Sequence, residues 1–153
     1  MHRKGVSALI INSNQEFLLV NLNSFEDKYF AIPGGGQEDG ESLDDTVYRE
    51  MLEELNIRNE SVEYVGASHD PLIFTFKTPK INSRGEEYIG SERHFFGFKF
   101  IGSDNEIKLQ ENEVRSYKWV PFSDLKDYLL FDNQLNETLP KILEIFQKHS
   151  LII

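Results

Sequence analysis

Three glutamates are the residues of this sequence best placed to do chemistry together. Glu50, Glu53 and Glu54 lie in the segment Leu43–Leu55, where apolar residues recur at helical spacing. Residues at positions i, i+3 and i+4 of a helix are neighbours, so the three carboxylates would repel one another. The pattern indicates either a solvated acidic face or a carboxylate cage for a divalent metal ion. A separate apolar arc is expected from Val47, Tyr48, Met51, Leu52 and Leu55.

A run of three glycines, Gly34, Gly35 and Gly36, follows Pro33 and precedes this helix. Glycine has no Cβ, so it allows backbone conformations and close approaches that other residues do not. A glycine carbonyl in this loop could therefore add an oxygen ligand to a metal ion held by the glutamates. A flexible turn is the simpler interpretation, but a turn does not need three consecutive glycines. The loop therefore favours the metal site over the solvated face.

Residues 35–57 resemble the Nudix box, the sequence motif of the Nudix hydrolase family. The motif reads Gly-x5-Glu-x7-Arg-Glu-U-x-Glu-Glu-x-Gly-U, where U is a bulky aliphatic residue. The matching positions are Gly35, Glu41, Arg49, Glu50, Met51, Glu53, Glu54 and Ile57. Asn56 stands where the family has glycine, and asparagine is the next most tolerant residue for the left-handed conformation that ends many helices.

The resemblance implies an enzyme that hydrolyses a nucleoside diphosphate linked to another group, with Mg²⁺ (or Mn²⁺) as its cofactor. It implies that Glu50, Glu53 and Glu54 bind the metal together with the Gly35 carbonyl. Glu50 and Glu53 are expected to be catalytic, and Glu50 would orient or deprotonate the attacking water. The resemblance also implies a structural ion pair that fixes the loop to the helix. Its two members are Glu41 and Arg49.

The family usually adds one more carboxylate from a loop beyond the box. Glu111 and Glu113 are both candidates for it. We expect Glu113 to be this additional metal ligand and catalytic residue, because it directly precedes the predicted strand at residues 114–120. An exposed acidic residue in a loop is nearly as good an interpretation.

Substrate selection is less clearly encoded than the metal site. Arg3, Arg84 and Arg93 could contact phosphate groups, although isolated arginines are more often solvated. Phe96 could stack on a base, although alternating aromatic residues on a strand more often form the core. These four residues are therefore predicted as substrate-binding candidates.

The elements that would position these residues indicate an α/β fold. Apolar alternation and turn residues predict seven strands and a closing helix. The resemblance implies an α/β/α sandwich, with a mixed β-sheet between helices. The strands are predicted at residues 6–11, 17–22, 29–32, 62–68, 72–76, 94–101 and 114–120, and the closing helix at residues 136–148.

Several details of these elements can be predicted as well. In the strand at residues 94–101, Phe95 should face away from Phe96, Phe98 and Phe100. The polar stretch at residues 81–91 predicts a loop. Ser123 is expected to cap a short helix, because serine accepts a hydrogen bond at a helix N-terminus. Pro140 is expected in the first turn of the closing helix.

Length and composition limit the number of domains, the metal ligands and the binding partners to expect. A chain of 153 residues without a linker or repeat predicts a single domain over residues 1–153. The absence of cysteine excludes thiolate metal sites and is compatible with the predicted cytoplasmic location. No apolar run is long enough to predict a membrane span. The formal charge of −10 argues against nonspecific binding of long nucleic acids, but not against a small anionic substrate.

The function expected from these observations is that of a metal-dependent pyrophosphohydrolase acting on a small nucleotide. The candidate substrates are ADP-ribose, dinucleoside polyphosphates, nucleoside triphosphates and the 5′-pyrophosphate end of RNA. The alternative is a catalytically silent nucleotide-binding module of the same fold. Such modules typically lack the glutamates of the box, all of which are present here. The oligomeric state is open.

Overall fold

The computed structural model describes residues 1–149, and its main elements are seven strands and two α-helices. The strands are β1 (His2–Ile11), β2 (Glu16–Leu22), β3 (Gly34–Gly36), β4 (Val62–Ala67), β5 (Leu72–Ile81), β6 (Glu87–Phe100) and β7 (Val114–Pro121). The helices are α1 (Leu43–Leu55) and α2 (Gln134–Phe146). The single domain predicted over residues 1–153 stays a prediction, since its last four residues lie outside the described ones.

The seven strands form one mixed sheet. Five of them follow the order β4-β6-β1-β2-β7, and β3 and β5 pair beside this row. The β1 and β6 strands run parallel, whereas the other pairs are antiparallel. The short β3 strand pairs with β1, which brings the glycine loop to the middle of the sheet. The long β6 strand pairs with β5 along its first half and with β4 along its second half.

Hydrophobic cores on both faces of the sheet hold the helices. One core packs Val47, Met51 and Leu55 of α1 against Phe96, Phe98 and Phe100 of β6. The other packs Ile142, Ile145 and Phe146 of α2 against Phe95. The predicted alternation of the four phenylalanines is therefore confirmed. The predicted α/β/α sandwich with a mixed sheet is confirmed as well.

The ends of α1 explain why its predicted bounds are confirmed. The Ser42 side chain caps the N-terminus by accepting a hydrogen bond from the Asp45 N–H, and the Asp45 carboxylate accepts one from the Ser42 N–H. Asn56 ends the helix in the left-handed conformation, with φ of 58°. The prediction that Leu52 belongs to the apolar arc of α1 is wrong, because this side chain lies at the margin of the arc and is 48% exposed.

Two sequence predictions about strands are wrong. Residues 81–91 were expected as a loop, but β5 continues to Ile81 and β6 begins at Glu87, so only a tight turn remains between them. Backbone pairing of Lys80 with Tyr88 stabilises this hairpin despite its polar sequence. Residues 29–32 were expected as a strand, but there only Ala31 forms a bridge, to Val20.

Two predictions about helix ends are also wrong. The short helix after β7 is a 3₁₀-helix that begins at Phe122, so Ser123 lies inside it and does not cap it. The closing helix begins at Gln134, and Pro140 lies in its interior. Proline there removes the hydrogen bond to the carbonyl of Asn136. Both residues are exposed, so water can bond to that carbonyl.

Within residues 1–149, no helix is both long enough and apolar enough to cross a membrane.

Candidate metal centre and substrate cleft

The glycine strand β3 brings the backbone directly against α1. A Cβ added to Gly35 would lie 2.2 Å from Glu50 Oε1, and one added to Gly34 would lie 2.0 Å from the Val6 carbonyl oxygen. Both distances are shorter than any side chain allows. The strand therefore needs glycine for close packing against β1 and against the Glu50 carboxylate, rather than for a turn.

The buried Glu54 and the partly buried Glu50 form a carboxyl pair beside this strand, and each influences the pKa of the other. Glu54 is 2% exposed. Burial, followed by the charges of Glu50 and Glu113, raises the pKa of Glu54 to about 9. Burial also raises the pKa of Glu50. Without a cation, the pair therefore retains a proton at neutral pH.

The third glutamate of the helix faces Arg49 instead. The Arg49 guanidinium donates to Glu53 Oε2 at 3.2 Å and to Glu50 Oε1 at 3.0 Å. The Glu53 side chain is 51% exposed. Arg49 thus compensates part of the acidic cluster but forms no salt bridge with Glu54.

The predicted ion pair between Glu41 and Arg49 is present with bidentate geometry. Arg49 Nε and Nη2 donate to the two Glu41 oxygens at 2.6 and 3.0 Å. Nη2 also donates to the Gly36 carbonyl at 2.9 Å. These contacts lower the pKa of Glu41 to about 2, mainly through the hydrogen bond from Arg49. They connect β3, the following loop and α1.

The donor set at this site fits a divalent metal ion. Glu54 Oε2 is buried and has no hydrogen-bond partner, which is costly for a polar atom unless a cation satisfies it. Carboxylate and carbonyl oxygens are the ligands that Mg²⁺ and Mn²⁺ prefer. Across residues 1–149, no three acidic or histidine side chains already converge on a common point. A full carboxylate shell therefore requires Glu53 to turn away from Arg49.

The loop before β7 lies against the C-terminal end of α1. The Gln110 N–H donates to the Glu54 carbonyl at 3.1 Å, and the Val114 N–H donates to the Gln110 carbonyl at 2.8 Å. Among the charges that raise the pKa of Glu54 is that of Glu113. Glu111 exerts no such effect and instead accepts a hydrogen bond from Asn23 through its backbone carbonyl. Of the two candidates, only Glu113 is among the named causes of the raised pKa of Glu54, and the choice between them stays a prediction.

Arg3 and Arg93 lie together at a cleft beside the glycine strand. Both line a cavity of about 230 Å³ together with Gly35 and Gly36. Arg93 donates from Nη1 to the Val6 carbonyl and to Ser7 Oγ, at 2.9 and 3.0 Å. Burial lowers the pKa of Arg93, whereas the charge of Glu54 acts in the opposite direction and the charge of Arg3 in the same direction as burial. The guanidinium groups of Arg3 and Arg93 repel each other, and an anion bound to both would relieve that repulsion.

Arg84 lies farther out, at the turn between β5 and β6. Its guanidinium pairs with Asp39 of the loop that follows β3, and with Glu86 at 3.1 Å. These residues line a second cavity of about 1,090 Å³, which also contains Arg3. Arg84 is therefore at the mouth of the cleft and separate from Arg93.

Phe96 does not reach either cavity. It is 6% exposed and packs in the core under α1, so its ring is not available to a base. Phe76, which the sequence did not single out, lines both cavities. Its strand was predicted, but the pairing that places it next to the glycine strand joins residues far apart in the sequence. No local signal distinguishes Phe76 from a core aromatic residue.

Fold and site together define a class of protein, an α/β/α sandwich in which a glycine strand and a helix present a cluster of glutamates. The chain belongs to the Nudix family, since the NUDIX domain model matches residues 1–142. Members of this family generally use divalent metal ions and act on small nucleotide substrates.

Proteins with similar sequences include pyrophosphohydrolases. An RNA pyrophosphohydrolase of Pelagibacter ubique (strain HTCC1062) is 30% identical over 134 residues, which cover 84% of this chain and 82% of that protein. Nudix hydrolase 5 of Arabidopsis thaliana is 30% identical over 152 residues, but the chain spans only 46% of that protein. The expectation of a hydrolase is thereby confirmed at the level of the family.

Solved structures with the same fold have lower sequence identity. The Ap4A hydrolase of C. elegans, solved as a binary complex, has a TM-score of 0.70 at 19% identity, with 97% of each chain covered. The dihydroneopterin triphosphate pyrophosphohydrolase of E. coli also has a TM-score of 0.70, at 14% identity, with 94% of this chain and 99% of that chain covered. These similarities support the fold.

Proposed function

We propose that this protein is a Mg²⁺- or Mn²⁺-dependent pyrophosphohydrolase that cleaves a nucleoside diphosphate linked to another group. The observation that carries the proposal is the buried Glu50–Glu54 pair against Gly35, with one Glu54 oxygen left without a partner. Such a pair is unfavourable in a purely structural role, because burying unsatisfied carboxyl groups costs stability. A divalent cation would satisfy it.

The proposed metal ligands are carboxylate groups and one carbonyl group. They are Gly35, Glu50, Glu53, Glu54 and Glu113. A bound divalent ion would offset the negative charge of the phosphates and lower the pKa of a coordinated water. Glu50 lies against Gly35 and accepts a hydrogen bond from Arg49, so its carboxylate is held in place to orient the attacking water and accept its proton. Glu41 and Arg49 position the loop against the helix.

The guanidinium groups of Arg3 and Arg93 would bind the phosphates. Both line the cavity that adjoins Gly35 and Gly36, and arginine matches phosphate geometry through paired donors. Arg84 would contact the outer part of the substrate at the mouth of the larger cavity.

Among the four candidate substrates, we favour the 5′-pyrophosphate end of RNA. The support is the similarity over most of both chains to an RNA pyrophosphohydrolase. The silent binding module is not favoured, because all glutamates of the box are present. The cytoplasmic location stays a prediction.

A substrate screen with product identification tests this function. Purified protein would be incubated with Mg²⁺ or Mn²⁺ and each of four substrates, namely 5′-triphosphate RNA, a dinucleoside tetraphosphate, ADP-ribose and ATP. We expect pyrophosphate or orthophosphate release from RNA at the highest kcat/KM, with no release in excess EDTA. The Glu53→Gln variant serves as a matched control for contaminating hydrolases. Hydrolysis of none of the four by the wild type would refute the proposal and favour the binding module.

A further inference from the structure

An exposed aromatic side chain, Phe74, lies next to the half-buried Phe76 on the edge strand β5. Phe74 is 58% exposed, and its ring centroid lies 6.1 Å from that of Phe76, with the two planes inclined at 63°. Residues two apart in a strand point to the same face, with their Cα atoms about 6.6 Å apart. An aromatic pair left in water beside a polar cleft is typical of a binding surface.

Strand pairing places this aromatic pair on the face that carries the arginine cleft. Phe74 pairs with Ser91 of β6, and Ser91 pairs with Arg3 of β1. Directly paired residues share a face of the sheet. Ser91, Arg3 and Phe76 all line the cavity next to Gly35 and Gly36. Phe76 therefore borders the proposed phosphate site, and Phe74 continues the same surface outward along β5.

Cations accompany the two rings although the protein as a whole is acidic. Lys80 Nζ lies 4.5 Å from the centroid of the Phe76 ring. Arg3 lies on this face too and lines the same cavity as Phe76. Proteins that bind single-stranded nucleic acids combine stacking on successive aromatic rings with cations that contact the backbone. The two rings with Lys80 and Arg3 beside them match this combination, although Glu92 also lines the cavity.

We propose that Phe76 and Phe74 stack the first and second nucleobases of an RNA 5′ end whose terminal phosphates lie between Gly35 and Arg93. This inference rests on the proposed function and assigns the surface that would distinguish RNA from a mononucleotide. A mononucleotide with its phosphates in the same place reaches Phe76, whereas contact with Phe74 requires a second nucleotide.

The test compares the kcat/KM for a 5′-triphosphate RNA tetranucleotide with that for ATP. The Phe74→Ala variant should lower the ratio of RNA to ATP kcat/KM by about 5- to 150-fold, the range that loss of one base–aromatic stack produces. The Phe76→Ala variant should lower kcat/KM for RNA and kcat/KM for ATP. Ile73→Ala is the matched control, because Ile73 is 53% exposed on the same strand but its side chain points to the opposite face. It should leave the ratio unchanged.

Binding measured without turnover separates this inference from the proposed function. In a Glu53→Gln background with Mg²⁺, the anisotropy of a 3′-labelled 5′-triphosphate tetranucleotide should report weaker binding after Phe74→Ala, by a similar factor. If the wild type hydrolyses no substrate but Phe74→Ala still weakens this binding, the proposed function fails and the stacking surface stands.

Three outcomes would overturn the stacking surface. One is an unchanged ratio of RNA to ATP kcat/KM in Phe74→Ala with unchanged anisotropy. Another is an equal loss of kcat/KM in Phe74→Ala for a dinucleoside tetraphosphate and for RNA. This result would indicate that a second nucleoside of any origin occupies the surface. The last is a wild-type dimer in sedimentation that Phe74→Ala dissociates without affecting RNA binding, since the rings would then cover a second copy of the chain.

Discussion

Replacing Glu54 with glutamine should stabilise the metal-free protein while abolishing its activity. Glu54 is 2% exposed, and the charge of Glu50 beside it raises its pKa further. Glutamine keeps the size and hydrogen-bonding capacity of the side chain but has no charge to bury. The substitution therefore removes the electrostatic cost of the site together with one proposed metal ligand.

The magnitude follows from the pKa of Glu54, which burial raises from 4.5 to about 9. Because the folded state holds this proton more tightly than the unfolded state, the contribution of Glu54 to the free energy of unfolding is fully present below pH 4.5 and falls as the pH rises towards 9. Each pH unit in this interval costs about 1.4 kcal/mol. At pH 7.5 the cost reaches an upper limit of about 4 kcal/mol, which Glu54→Gln removes.

Urea unfolding in EDTA at pH 5, 6.5 and 8 measures this effect. The stability of Glu54→Gln relative to the wild type should increase with each step in pH. Glu53→Gln, on the half-exposed side of the same helix, provides the control and should show a far smaller trend. With Mg²⁺ added, the wild type should gain more stability than Glu54→Gln, because binding to the folded state stabilises it. A stability difference that stays constant or shrinks with rising pH would refute this explanation of the carboxyl pair.

Three further predictions address the proposed catalytic site. Glu53→Gln should lower kcat by at least about 100-fold with an unchanged far-ultraviolet circular dichroism spectrum, because it removes charge that stabilises the transition state; near-normal turnover would contradict the role of this residue. Glu113→Gln should reduce kcat/KM strongly while Glu111→Gln changes it little, and the reverse order would exchange their roles. Gly35→Ala should cost about 100-fold in kcat, since its Cβ would lie 2.2 Å from Glu50 Oε1 and displace that carboxylate. Full activity of Gly35→Ala would show that this contact is not needed.

Local sequence signals predicted the helix that carries the glutamates. The serine cap at Ser42 and the tolerant Asn56 set the bounds of α1, and both act within one helical turn. The alternation of Phe95 and Phe96 between two cores follows from the period of a strand. These features depend on neighbours in the sequence, which is why the sequence was sufficient for them.

Other features depend on contacts between distant segments, which the sequence does not display. The polar residues 81–91 form a hairpin because β5 and β6 satisfy each other's backbone groups. Phe76 lies at the cleft because β6 and β1 pair in parallel and bring β5 near the glycine strand. Arg49 lies at i, i+4 to Glu53, but it is also held by Gly36 and Glu41, which lie outside α1.

The end of α1 shows how a sequence motif can change without loss of the geometry that it serves. Asn56 adopts the left-handed conformation, and its side-chain amide donates to the Glu106 carbonyl at 3.0 Å. Glycine could adopt the same φ but could not form this bond, and its unfolded chain would have more conformations to lose. Substitution by glycine would thus restore the family consensus but remove a hydrogen bond between the helix and the segment before β7. At this position asparagine adopts the left-handed conformation that the end of the helix requires. It also adds a contact that holds two parts of the chain together.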